Sequence, residues 1–131
     1  MERVTGIGGV FFKARDPAAL AAWYRQHLGL ESKDAIAEFE WREKEEPDRI
    51  GHTVWAAFPA DTRYFGTGGA PFMINYRVRS LDRMVEQLHR AGAQVDDRIE
   101  ESDYGRFAWI TDPEGNRIEL WEPPASYPAG R

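Results

Sequence analysis

The sequence predicts an α+β fold built from two tandem βαβββ units, whose curved mixed sheet encloses a pocket for a small molecule. Three observations carry that expectation. The same order of strand-like and helix-like stretches occurs twice in 131 residues, with Asp16 mapping to Ser80, Gly51 to Gly115, and Thr53–Phe58 to Arg117–Glu122, each 64 positions on. The strands beside the two helices alternate between apolar and mixed faces, the period of half-covered sheets. Each unit alone leaves one sheet face open, and a second copy can close it.

The first strand runs from Val4 to Arg15. It stops at Asp16-Pro17, where a carboxylate can take orphan amides and proline suits the first helical position. Leu20, Trp23, Tyr24 and Leu28 then recur at helical spacing, and Gly29 fits a left-handed cap. A short strand near Leu30 to Lys33 and an alternating one, Ala37 to Trp41, follow. The charged stretch Arg42 to Arg49 reads as a hairpin loop, and Thr53 to Phe58 as a strand. Residues 61–71 hold three glycines and Pro71 with a strand behind them rather than a helix, so they read as a linker and not a phosphate cradle. The order then repeats. Phe72 to Val78 is a strand, and Ser80 caps a helix carrying Leu81, Met84, Val85 and Leu88 on one face. Val95 to Glu101 and Arg106 to Thr111 are strands, Asp112-Pro113-Glu114-Gly115 is a type I turn, and Arg117 to Glu122 is the last strand. The units span about residues 4–60 and 72–122, with 123–131 a loosely held tail.

Alternation along the four helix-flanking strands assigns Val10, Phe12, Ala14, Val54, Ala56, Phe58, Phe72, Ile74, Tyr76, Val78, Ile118 and Leu120 to the helix side. The opposite face carries Gly9, Phe11, Lys13, Trp55, Met73, Asn75, Arg77, Arg117, Glu119 and Trp121. Aromatics mixed with a few polar groups suit a ligand pocket more than a core.

Composition removes several classes of function. The chain has no cysteine, which excludes disulfides, thiolate metal sites and cysteine nucleophiles. A net charge of −5 argues against nucleic acid as a partner. No apolar run approaches a membrane span, and Met1-Glu2-Arg3-Val4 lacks the basic and apolar parts of a signal peptide, so a cytoplasmic protein without membrane attachment is expected.

Two segments, Gly9-Val10-Phe11-Phe12-Lys13-Ala14-Arg15-Asp16-Pro17 running on to Trp23-Tyr24-Arg25 and Leu28-Gly29-Leu30, and Asp112-Pro113-Glu114-Gly115-Asn116-Arg117-Ile118-Glu119-Leu120-Trp121, carry a family resemblance. In them the sequence resembles the vicinal oxygen chelate superfamily, the glyoxalase, bleomycin-resistance and extradiol-dioxygenase group. In its metal-using members the resemblance implies four ligand positions, one on the first and last strand of each unit. Those positions fall here on Gly9, Trp55, Met73 and Glu119. Only Glu119 can ligate a hard or borderline cation, because glycine has no side chain, indole offers no usable lone pair and a thioether suits Cu(I). A catalytic divalent site needs about three protein ligands. No metal and no other cofactor is therefore expected, a divalent ion held through Glu119 being the alternative.

Glu119 has three readings. It is an acceptor for a cationic or hydroxylated ligand, a general base whose pKa is raised by burial near Trp55 and Trp121, or a structural residue paired with Lys13, Arg77 or Arg117. Trp55, Met73 and Trp121 either stack a planar ligand or fill the volume that metal and ligands occupy in relatives. Asn75 is the orienting amide on that face. Phe11, Lys13 and Arg77 complete the expected lining, and Arg106 either meets an anionic group or stays exposed. His27, His52 and His89 read as structural or surface residues, and Glu100-Glu101-Ser102-Asp103 as a solvated strand edge.

The function expected is a small-molecule-binding protein of the glyoxalase-like kind without the usual divalent-metal centre, assembled as a homodimer. Two alternatives stand beside it. One is an enzyme of the lyase, isomerase or dioxygenase type, with metal through Glu119 or with Glu119 as base. The other is sequestration of an antibiotic or toxin, as the resemblance to bleomycin-resistance members implies.

Overall fold

A computed structural model of the chain describes residues 1–127. Nine elements follow one another: β1 (Val4–Ala14), α1 (Pro17–Leu28), β2 (Ile36–Arg42), β3 (Ile50–Pro59), β4 (Phe72–Val78), α2 (Leu81–Arg90), β5 (Gln94–Ser102), β6 (Gly105–Thr111) and β7 (Arg117–Glu122). The strands hydrogen-bond in the order β2-β3-β1-β4-β7-β6-β5, a mixed sheet of seven. The chain divides into two compact units, Gly8–Ile74 and Met1–Ile7 together with the chain from Asn75 on, so β1 and β4 each contribute to both.

Both helices start on the residues expected. Asp16 accepts from the Ala19 amide at 3.0 Å ahead of Pro17, and Ser80 accepts from the Arg83 amide at 3.3 Å. Glu122 adds a second acceptor for α2 by taking the Leu81 amide at 2.7 Å. Gly29 closes α1 with φ of 67°, where its own amide reaches Arg25 and the Leu30 amide reaches Tyr24.

In the Gly8–Ile74 unit, β1 and β3 run parallel and β2 pairs antiparallel with β3. The expected strand at Leu30–Lys33 is not one. Lys33 forms only a bridge to Ile36, with N···O contacts of 2.9 and 3.0 Å in the two directions. Asp34 and Ala35 between them both take left-handed φ values, 53° and 61°, which turns the chain as a two-residue hairpin loop does. The helix α1 covers Phe12, Ala14, Trp55 and Ala57 with Ala21, Leu20 and Tyr24.

That packing corrects the face assigned to β3. The parallel register sets Val10 beside Trp55 and Phe12 beside Ala57, and paired residues share a face. Trp55 therefore lies under α1, its ring 4.8 Å from Tyr24 and 5.1 Å from Phe12. Val54, Ala56 and Phe58 take the opposite side. The cause is one residue between N-cap and closing glycine: Asp16 to Gly29 spans 13 positions and Ser80 to Gly92 spans 12, so the offset falls from 64 to 63 past the helix. Gly51 lies inside β3 and Gly115 in a turn, so equating them hid the slip. A one-residue shift in a strand moves every side chain to the other face.

In the unit from Asn75 on, β5, β6 and β7 form an antiparallel meander. Val78, Leu81, Met84, Ala108 and Leu120 are the buried cluster beneath α2, with Tyr76 and Ile118 packed on it as expected, whereas Phe72, expected on the same side, is 53% exposed. The β6–β7 turn closes with the Gly115 amide on the Asp112 carbonyl at 3.0 Å. The start of the tail is held: the Tyr127 ring lies 6.0 Å from Tyr104 and 5.9 Å from Trp121. Residues 128–131 of the expected loose tail lie outside the described residues. Among those described, no helix is long and apolar enough to cross a membrane.

Candidate functional site

The face of the second unit away from α2 gathers Asn75 and Arg77 from β4, Phe107 and Trp109 from β6, and Glu119 and Trp121 from β7. Glu119 sits at its centre and is 1% exposed. Its Oε1 accepts from Asn75 Nδ2 at 2.6 Å, and its Oε2 accepts from Trp109 Nε1 at 3.0 Å. A carboxylate only accepts, so the Asn75 amide turns its nitrogen to Glu119 and its oxygen away. Asn75 is equally buried, and its Oδ1 accepts no hydrogen bond from the described residues. An amide oxygen in that condition lacks the partner that buried polar groups nearly always have.

Aromatic rings and guanidinium groups frame this pair. Trp121 stacks on Phe107 at 6.0 Å and 3° between planes, donates Nε1–H to the Tyr104 carbonyl at 2.7 Å, and carries the Arg77 guanidinium 5.4 Å above its ring. Arg77 is itself buried. Trp109 takes guanidinium groups over its ring as well, Arg98 at 4.9 Å and Arg117 at 5.6 Å, and Arg117 is tied to Asp96 at 2.8 Å. The ring's negative quadrupole attracts those cations while its N–H points at an anion.

The structure thus brings Asn75, Arg77, Glu119 and Trp121 onto one face. Trp109 is the functional candidate that sequence reasoning missed. The signal was present: Phe107, Trp109 and Thr111 alternate with Ala108 and Ile110 along β6, and Trp109 is the registered partner of Glu119. Arg106 is elsewhere in its bonding. It donates to Asp82 at 2.9 Å and to Glu101 at 3.0 Å, and the Asp82 hydrogen bond, then the Asp82 and Glu101 charges, raise its pKa while burial opposes them. A guanidinium shared by two carboxylates is a poor anion receptor, so a structural reading fits Arg106 better, although it is half-buried rather than exposed.

The remaining expected residues belong to the Gly8–Ile74 unit. Trp55 is in the helix-side cluster and lines no sheet-face site. Met73 is 1% exposed and Phe11 is 5% exposed. Phe11 turns its ring over Gly9, where a Cβ would lie 2.6 Å from two ring carbons, so the glycine leaves the space that Phe11 takes. Phe58 and Tyr64 stack at 5.4 Å, Phe11 meets both, and the Lys13 ammonium stands 5.7 Å over Phe65. Tyr64 and Phe65 come from the stretch read as a bare linker; Phe65 is 2% exposed and packs its ring on Phe58 at 5.2 Å.

With β3 in its true register, the position equivalent to Glu119 is Ala56, so the four family positions hold Gly9, Ala56, Met73 and Glu119, one hard ligand among them. Among the described residues, no three His, Asp or Glu side chains gather as a metal site would require. The histidines stand apart from the cluster: His27 lies against Trp23 at 4.9 Å, His52 sits 3.6 Å from Glu38, and His89 is exposed near the end of α2.

Residues 9–121 match the model of the glyoxalase-like domain family. The chain belongs to that family. Among solved structures, methylmalonyl-CoA epimerase from Mycobacterium tuberculosis is similar at 24% identity and a TM-score of 0.59, covering 92% of this chain and 89% of that one. A methylmalonyl-CoA epimerase in complex with methylmalonyl-CoA and NH4+ matches at 17% identity and a TM-score of 0.65, over 96% of this chain and all (100%) of that one. A glyoxalase/bleomycin resistance protein/dioxygenase superfamily member from Vibrio splendidus 12B01 matches at 10% identity and a TM-score of 0.54, over 92% and 97%. No curated protein sequence matches the chain. At these identities the structural neighbours establish the glyoxalase-like fold of the vicinal oxygen chelate superfamily, and no more.

Proposed function

We propose that this glyoxalase-like protein binds a small, partly aromatic molecule through hydrogen-bond donors on the ligand, at the Asn75–Glu119 pair and without a divalent metal. The observation that carries the reading is the buried Asn75 Oδ1 that accepts nothing from the described residues, beside a carboxylate fixed by two N–H groups. An ammonium, hydroxyl or amide of a ligand supplies what that oxygen lacks, and Trp121 and Phe107 offer ring surface beside it. Asn75 and Glu119 are each 1% exposed, so a ligand reaches them only as the face opens, and association should be slower than about 10⁵ M⁻¹s⁻¹. A homodimer is part of the same reading, since a half-open sheet of this kind can close against a second copy.

The test is a fragment screen by ligand-observed NMR with benzylamine, benzyl alcohol and benzamide, each beside a methylated partner that lacks the donor. Donor-bearing members should bind, and Asn75→Leu should abolish the difference within each pair. Equal binding of both members of every pair would sink the reading. Elemental analysis of protein purified without an affinity tag supplies the second arm: near-stoichiometric Zn, Mn, Ni or Fe, lost in Glu119→Gln, would replace it with a metal-dependent one.

A further inference from the structure

The helical side of the Gly8–Ile74 unit carries a separate concavity. A groove of about 860 Å³ opens at the start of α1, with Lys13, Arg15, Asp16, Leu20, Trp23 and Tyr24 among its lining residues. It is shallow and open to solvent, so a ligand lies on it with one face in water.

Two features give the groove a chemical preference. The first is Trp23, a residue 50% exposed although Leu20 and Tyr24 of the same helix pack inward. Its neighbours are Tyr24, edge-on at 5.5 Å, and His27 at 4.9 Å. A large indole half in water beside a concave surface offers a ring face on which a planar group can stack. The second is charge. Lys13 turns its ammonium to the other face, over Phe65, which leaves Arg15 as the cation of the groove beside Asp16, whose Oδ1 is already taken by the Ala19 amide. Arg15 is exposed and makes no hydrogen bond or ion pair among the described residues, and the first turn of α1 carries no other acidic side chain. A planar guanidinium pairs with a carboxylate through two parallel hydrogen bonds, a geometry that a flat anion matches best.

We propose that this groove binds a planar aromatic carboxylate, its ring on Trp23 and its carboxylate on Arg15. The site is independent of the Asn75–Glu119 pair, and either can fail without the other.

Isothermal titration calorimetry with 2-naphthoate tests it, with uncharged 2-naphthamide as the partner probe. The expected result is a Kd below about 1 mM for the carboxylate and at least about fivefold weaker binding of the amide. Arg15→Gln and Trp23→Ala should each weaken 2-naphthoate by about fivefold or more, whereas Arg63→Gln, an exposed arginine outside the groove, should leave it unchanged. Both substituted groove residues are solvent-exposed, so circular dichroism should report an intact fold. No binding at several millimolar, equal affinity for the amide, or an unchanged affinity in either groove variant overturns the assignment.

Discussion

Trp109 and Glu119 face each other across β6 and β7, and the indole N–H reaches the carboxylate at 3.0 Å with both side chains fully buried. Trp109→Phe removes that donor together with part of the indole volume, so it takes one hydrogen bond from the buried carboxylate and leaves a small void. Trp109→Phe should therefore cost about 1–3 kcal/mol in urea denaturation. In a double-mutant cycle with Glu119→Gln the two losses should be non-additive by at least about 0.5 kcal/mol. Additive losses would mean that Trp109 only fills space.

The Asn75–Glu119 contact at 2.6 Å makes a sharper prediction about charge. Asn75→Asp replaces a donor with a second carboxyl at the same separation, and two carboxylates so close disfavour ionising together. The pair would hold a proton more tightly in the folded than in the unfolded chain. A carboxyl pKa raised by folding destabilises at neutral pH, and the loss is relieved as pH falls. Asn75→Asp should thus be less stable than the parent at pH 8 and approach it at pH 5, read as the urea midpoint at each pH. A pH-independent difference would rule out the direct contact.

Most of the fold was legible because its signals are local. Asp16-Pro17, Ser80 and Gly29 act on amides within a turn of themselves, and Asp112 to Gly115 closes its own loop, so no tertiary context was needed to read them. The second unit's face was legible for the same reason, since β4 and β7 alternate without interruption. What failed depended on counting across a helix. One residue fewer between Ser80 and Gly92 than between Asp16 and Gly29 inverted the parity of β3, moved Trp55 from the expected site to the core, and made Ala56 the counterpart of Glu119. Trp109 and Phe65 were passed over for another reason. Their importance comes from partners distant in sequence or from a stretch without periodicity, and neither leaves a mark that alternation detects.

The revised place of Trp55 can be checked directly. Buried under α1 against Phe12 and Tyr24, it should behave as a core residue. Trp55→Ala should cost about 3–5 kcal/mol in denaturant unfolding, whereas binding of a donor-bearing fragment at Asn75 should persist under conditions where the variant is folded. Loss of fragment binding with stability unchanged would return Trp55 to the ligand site.

The β6–β7 turn offers a titration that reports on its own geometry. The Asp112 carboxylate accepts from the Asn116 side chain and amide and from the Glu114 amide, all at 2.9 Å. The Asn116 side-chain bond, then the backbone bonds, hold its pKa below the ordinary aspartate value. A depressed carboxyl pKa stabilises the fold above the unfolded value, and the benefit fades as pH falls through the folded one. The stability gap between the parent and Asp112→Ala should therefore be full at neutral pH and narrow below about pH 4. Carbon-detected NMR should place the Asp112 titration beneath that of an unstructured aspartate, and Asn116→Ala should move it upward. An Asp112 that titrates at the ordinary value in the parent would show that the turn's hydrogen bonds do not hold in solution.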